Sequence, residues 1–225
     1  DWDAFLQTNS IKRFSALSKG FYDRQIHKAK QALATEDVSY FAENLPLGQT
    51  WRLYNTFRED AVFLDIETSG YYGDITVIGV YDGHDTKTMV RGHNLDKDLL
   101  RKTLAPYKLV ITFNGASFDL PVIKRYFGNI VPEVPHIDLR HVCSKVGLTG
   151  GLKQIEKTLG IQRAKGVEGI NGEDAVYLWQ QYKATGKREY LETLVMYNEE
   201  DIVNLLPIAD KVISQLWEKM RKRTS

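Results

Sequence analysis

The run AVFLDIE, beginning at residue 61, is apolar throughout except for two acids spaced two apart, Asp65 and Glu67. Its length and composition predict a buried strand. Side chains alternate faces along a strand, so the two carboxylates project side by side while Leu64 and Ile66 face the opposite layer. Neighbouring ionised carboxylates repel one another, and each is costly to bury unpaired. A hard divalent cation, Mg²⁺ or Mn²⁺, is the natural compensation, because such ions prefer oxygen ligands. Taken alone, the pair reads sooner as solvated acids at the edge of a sheet.

The surrounding pattern sets the fold class. ITVIGVYD follows after a Gly/Tyr turn (Gly70, Tyr71), and TKTMVRG follows after Asp82, Gly83 and His84, which predicts an antiparallel meander of three strands. LDKDLLRKTLAP reads as a helix ending at Pro106, and KLVITFN as another apolar strand. SFDLPVIKRYFG reads as a helix with Pro121 in its first turn and Gly128 beyond its end. HIDLRHV is a short strand-like segment. Helical patterns follow in GLKQIEKTLG, in EDAVYLWQQYKATG, in a long run over residues 188 to 206, and in a last helix after Pro207. This order predicts an α/β domain with a mixed sheet flanked by helices.

Upstream, FYDRQIHKAKQALA has helical spacing, with Tyr22, Ile26, Ala29 and Leu33 on one side, and the Pro46–Gly48 region reads as loop. The expected organisation is a mostly helical extension over residues 1–58 and the α/β domain over 59–225. A length of 225 residues suits one good-sized domain with an appendage. The formal net charge of +1 decides nothing about nucleic acid, because a carboxylate-rich site can cancel a basic groove elsewhere. The terminal basic cluster (Lys219, Arg221, Lys222, Arg223) fits a solvated helix end as well as a phosphate contact. Cys143 is the one cysteine, which excludes an internal disulfide and fits a reducing, cytoplasmic setting. No stretch approaches the length of a membrane span, and no signal peptide is visible. The first residue is Asp, so the numbering is expected to begin inside a longer natural chain.

Two further acids fall where they can join the first pair. Asp119 follows Phe113, Asn114 and Gly115 at the end of a strand and lies in the first turn of the next helix. An acid there is favoured by the helix dipole, but ligands also gather where strands end and helices begin in α/β sheets. In LVMYNEEDIVNLL, Tyr197 and Asp201 are four apart and occupy adjacent turns of one helix face. The apolar stripe of Leu191, Leu194, Val195, Ile202, Leu205 and Leu206 puts Asp201 at its edge and Tyr197 slightly beyond. Glu199 and Glu200 read as surface acids.

A D-x-E strand, an Asp after an N-G strand end and a late helical Y-x-x-x-D together resemble the DEDD exonuclease superfamily in its tyrosine (DEDDy) branch. The matching positions are Asp65, Glu67, Asp119 and Asp201, with Tyr197 as the branch marker. A histidine-type member would carry His where this chain has Met196. The phrases FLDIETSG, FNGASFDLPVI, GLKQIEKTLGIQR, AVYLWQQY and YNEEDIVNLL extend the likeness to YprB-type RNase H-like domains, over about residues 60 to 213.

The resemblance implies an RNase H-like fold and a metal-dependent 3′–5′ exonuclease that releases nucleoside 5′-monophosphates by a two-metal-ion mechanism. In that scheme Asp65 bridges two Mg²⁺ or Mn²⁺ ions. Glu67 and Asp201 hold the water-activating ion, Asp119 serves the second, and Tyr197 orients the attacking water. The partner is nucleic acid, DNA or RNA, at a 3′ end, with a single strand as the expected form. Thr68, Asn114, Phe118 and Lys153 are candidates for holding the substrate: Thr68 and Asn114 by hydrogen bonds, Phe118 by stacking, Lys153 as a point charge on phosphate. Each of these also fits a turn, packing or surface role. Asp138 is a further acid that could lie near the cleft. Two alternatives stay open: a structure-selective RNase H-like endonuclease and a catalytically silent nucleic-acid-binding module. The five histidines have no metal-ligand spacing, so zinc is not expected, and no nucleotide-cofactor motif is visible.

Overall fold

The acid-bearing run forms the centre of the sheet. In the computed structural model, which describes residues 2–70 and 73–224, β1 (Ala61–Thr68) is flanked by two quite different neighbours. On one side it pairs antiparallel with β2 (Ile75–Tyr81), which pairs antiparallel with β3 (Thr86–Val90). On the other it pairs parallel with β4 (Leu109–Thr112), which pairs parallel with β5 (His136–Asp138). The order is β3-β2-β1-β4-β5. This is the expected mixed sheet, with the Asn114 strand beside the Asp65 strand. The expected Gly/Tyr turn between β1 and β2 includes Tyr71 and Tyr72, which lie outside the described residues.

The pleat of β1 divides the core into two layers. Val62, Leu64 and Ile66 face a cluster that includes Leu100 and Leu104 of α5 (Lys97–Leu104) and Val122 and Ile123 of α6 (Asp119–Phe127). Ala61 and Phe63 face the other way, into a cluster with α7 (Leu139–Lys145), α8 (Leu152–Leu159) and α10 (Arg188–Thr224). A third cluster joins Val77 and Val90 to Trp179 of α9 (Gly172–Thr185) and to Leu194 and Tyr197 of α10. Asp65 and Glu67 sit on the odd-numbered face of β1, the face covered by α10.

Before the sheet come α1 (Trp2–Gln7), α2 (Ala16–Ala34), α3 (Val38–Asn44) and α4 (Tyr54–Phe57). Ser15 caps α2 by accepting the Ser18 N–H, which begins the helix earlier than its apolar spacing suggests. Ile26, Ala29 and Leu33 are half-buried, whereas Tyr22 is exposed at the end of the expected stripe. The Pro46–Gly48 stretch is not plain loop: it opens a 3₁₀ helix over Leu47–Leu53, held because Trp51 and Leu53 insert into the main core. Tyr54 and Arg58 then bond Asp210 of α10, at 2.7 Å and 3.0 Å.

Two more sequence expectations change. HIDLRHV is strand only as far as Asp138, whose side chain caps α7 by accepting the Arg140 N–H. Pro207 does not divide two helices: α10 runs through it. A mid-helix Pro removes one backbone bond. That loss is outweighed here because Leu205, Ile208, Ala209, Val212 and Ile213, on both sides of it, are buried in the same cluster. No helix of the described residues is long and apolar enough to cross a membrane.

Candidate active site

Carboxylate oxygens of Asp65, Glu67 and Asp201 lie within 4.8 Å of one another. The first two are aligned by the β1 pleat, and α10 lays the third across the same face. Asp65 is half-buried, while Glu67 and Asp201 are buried. All three are raised above the ordinary carboxylate range. Burial is the main cause at each. At Asp65 the charges of Asp119, Asp201 and Glu67 add to it, and at Glu67 those of Asp201 and Asp119. Three converging acids that resist sharing negative charge fit a hard divalent cation: oxygen-only donors, mutual repulsion and little water.

Asp119 is not in that triad. It begins α6 and is almost fully buried, and its Oδ1 accepts the Ile66 N–H of β1 at 3.0 Å. Burial pushes it up to about 7, against the pull of that backbone bond. Its charge is felt at Asp65 and Glu67, so it borders the site while being tied to the strand that carries them.

Tyr197 and Asp201 are both 6% exposed, on the inward face of α10. The Tyr197 hydroxyl is raised, first by burial and then by the charges of Asp201, Glu67 and Asp65, so it stays protonated as a donor. Its nearness to the Asp201 carboxylate offsets part of that acid's upward shift. Lys153 places its Nζ 4.6 Å from the centre of the Tyr197 ring.

The other proposed substrate contacts have structural partners. The Thr68 hydroxyl donates to the Gly70 carbonyl at 2.9 Å. Asn114 takes a left-handed backbone (φ 67°), which Asn tolerates. Its N–H donates to Asp138 at 2.8 Å, and its side-chain oxygen accepts from Arg140 at 2.8 Å. Asp138 thus clamps the N-G turn, accepting from Ala116 as well. Phe118 packs half-buried against the α5–α6 layer. Glu199 and Glu200, expected at the surface, are half-buried: Glu199 accepts from the Thr88 hydroxyl and Glu200 from the Ala164 N–H.

Three residues at the site were missed. Asn198, fully buried, donates from Nδ2 to Asp65 at 2.9 Å. Arg163 donates to Asp201 and grips Glu156 through Nε and Nη2 at 2.7 and 2.8 Å. Glu156 is buried and also accepts from Asn204 at 3.1 Å. Asn198 had a signal, since it falls in the middle of the apolar stripe between Leu194 and Ile202. Arg163, in the connection after α8, had none.

The sequence profile of the RNase_H superfamily matches residues 62–213. No curated protein sequence matches the chain. Among solved structures, the chain is similar to the family B DNA polymerase from the hyperthermophilic archaeon Pyrobaculum calidifontis, with TM-score 0.54 and 15% identity, covering 68% of this chain and 24% of that one. It is similar to Escherichia coli RNase D, an exoribonuclease involved in structured RNA processing (TM-score 0.50, 22% identity, 74% and 42% covered). A nuclease in its apo form is similar at TM-score 0.51 and 20% identity, with 72% and 75% covered. The chain thus spans under half the length of the polymerase and of RNase D, and what these structures share with it is the fold. With the profile covering most of the chain, the chain belongs to the RNase_H superfamily.

Proposed function

We propose that this protein is a metal-dependent 3′–5′ exonuclease of the tyrosine branch of the DEDD superfamily, with a YprB-type domain over residues 59–225 and a helical extension over 1–58. Its substrate is the 3′ end of single-stranded DNA or RNA, and its products are nucleoside 5′-monophosphates. The reading places it in the cytoplasm.

The observation that carries this reading is the convergence of Asp65, Glu67 and Asp201 from a central strand and a distant helix into one oxygen cluster. Asp65, Glu67 and Asp201 would hold Mg²⁺ or Mn²⁺, with Asp119 at the border for a second ion. Bound there, divalent ions supply an activated water and neutralise charge at the scissile phosphate. The chain's own groups do the positioning. Asn198 fixes the Asp65 carboxylate, and the Tyr197 hydroxyl keeps its proton and orients a water beside Asp201. Thr68 and Asn114 would hydrogen-bond the terminal nucleotide, Phe118 would stack on its base, and Lys153 would meet phosphate. The similarity to an exoribonuclease supports an end-directed reaction.

The test is hydrolysis of 3′-labelled single-stranded DNA and RNA with Mg²⁺ or Mn²⁺, beside Asp65→Asn. Release of labelled mononucleotide by the wild type, lost in the variant and blocked on circular substrate, supports the proposal. Cutting of circles would replace it with an endonuclease. Binding without cleavage would leave a silent module, and equal cleavage by both proteins would mean contamination.

A further inference from the structure

Beside the three-acid cluster, Arg163, Lys153 and Lys157 line a cavity of about 340 Å³ with Gln154, Glu156 and Glu168. The Arg163 side chain is only 5% exposed. Its Nε and Nη2 are engaged by Glu156 and Asp201, but its Nη1 is buried with no hydrogen-bond partner among the described residues. The Lys153 Nζ is likewise buried and without a hydrogen-bond partner. A buried donor left unpaired is costly, and more so when charged. Both side chains, each cationic, line one cavity next to the acid cluster, with these donors covered just behind its wall. A water molecule would complete the hydrogen bonding but leave the Lys153 ammonium without an ion pair, beside an Arg163 already paired with Glu156 and Asp201. Their mutual repulsion is felt, since the Lys153 ammonium is lowered by burial and then by Arg163. An anion answers both needs.

We propose that Arg163 and Lys153 form a subsite for a phosphodiester phosphate adjoining the scissile one, with Arg163 as the fixed half and Lys153 as the mobile half. This rests on the nuclease reading and specifies how that site holds its strand. Glu156 anchors the guanidinium through two bonds, so Arg163 stays in place with Nη1 as the donor for a phosphate oxygen. Lys153 now lies against the Tyr197 ring, and its four-carbon stem lets the ammonium swing from that face to the phosphate. Since Arg163 also holds Asp201, strand and metal ligand are positioned by one side chain.

The experiment measures fluorescence-anisotropy binding of 5′-fluorescein phosphorothioate oligothymidylate and oligouridylate in Mg²⁺, across a KCl series. Each phosphate contact on a single strand contributes about 0.7 to the slope of log K against log salt. Lys153→Met and Arg163→Gln are each expected to weaken binding several-fold at low salt and reduce that slope by about 0.7. Lys102→Ala, an exposed residue of α5 on the opposite layer, removes the same charge and should leave the slope unchanged. Thermal melts accompany each variant. If Arg163→Gln fails to fold, Lys153→Met decides, because Lys153 makes no hydrogen bond that the fold would lose. Wild-type binding with an unaltered slope in Lys153→Met overturns the subsite and leaves the nuclease reading standing. An equal loss in Lys102→Ala overturns the subsite as well. No binding by the wild type removes both.

Discussion

The Asn198 amide donates to the Asp65 carboxylate at 2.9 Å, bridging the last third of the chain to the central strand. The contact is possible only because residue 79, opposite Asp65 on β2, is glycine: a Cβ there would lie 2.2 Å from Asn198 Oδ1. The strand, the helix amide and the missing side chain form one fitted unit behind the Asp65 carboxylate.

Replacing Asn198 by Leu should keep the fold, because its neighbours on the helix face are apolar, but release Asp65. Partners behind a metal ligand are typically worth ~10–100-fold in affinity or activity. Mn²⁺ titration calorimetry and nuclease assays on Asn198→Leu should both register that loss. Unchanged Mn²⁺ affinity would mean that Asp65 needs no such support.

Gly79→Ala should push on the same contact from the sheet side. Overpacking of a tight core costs about 1–3 kcal/mol, so denaturant melts should show a loss of that order. Activity should fall further than Asn198→Leu alone predicts if α10 is displaced as a body. An alanine variant as stable and active as wild type would show that the helix yields without cost.

Without metal, the clustered acids work against the fold. Asp65→Asn removes one charge while its side-chain oxygen can still accept from Asn198. In chelator, the variant should melt several degrees above wild type, since ~1 kcal/mol corresponds to roughly 2–4 °C for a domain of this size. Adding Mn²⁺ should raise the wild-type melting temperature and have little effect on the variant. A lower melting temperature for Asp65→Asn in chelator would contradict the strain inferred at this site.

His136 gives the protein an acid limit of its own. Burial lowers its imidazole to about 4 from an ordinary 6.5, while its ring contacts the Thr112 hydroxyl at 2.8 Å. Between those values the unfolded chain takes up the proton and the folded chain does not. Stability contributed by His136 is therefore complete above pH 6.5 and is lost as the pH falls toward 4, by roughly 3 kcal/mol. Melting temperature against pH should fall less steeply for His136→Gln over that window. Parallel curves would remove His136 as the cause.

Much of this was legible in the chain because it is written in short-range periodicity. The alternation in AVFLDIE places Asp65 beside Glu67, and the four-residue step from Tyr197 to Asp201 sets both on one inward face. Asn198 was legible in principle, as a polar residue inside an apolar stripe. Arg163 was not: it reaches Asp201 across 38 residues from an irregular segment, and no local spacing encodes such a meeting. The continuity of α10 through Pro207 was misread for the opposite reason. A strong local signal for a break is overruled by burial on both sides of it, which only the folded chain reveals. The 3₁₀ helix at Leu47–Leu53 is owed in the same way to Trp51 and Leu53 docking far from their own neighbourhood.

That unbroken helix also determines how the site can evolve. Tyr197 and Asp201 ride on a rod whose far half is bolted into the largest core cluster, so neither can be re-aimed by adjusting a loop. Drift in substrate preference is left to side-chain changes beside the cluster, since Asp138 holds the turn after β4 and Glu156 and Asp201 hold the segment around Arg163.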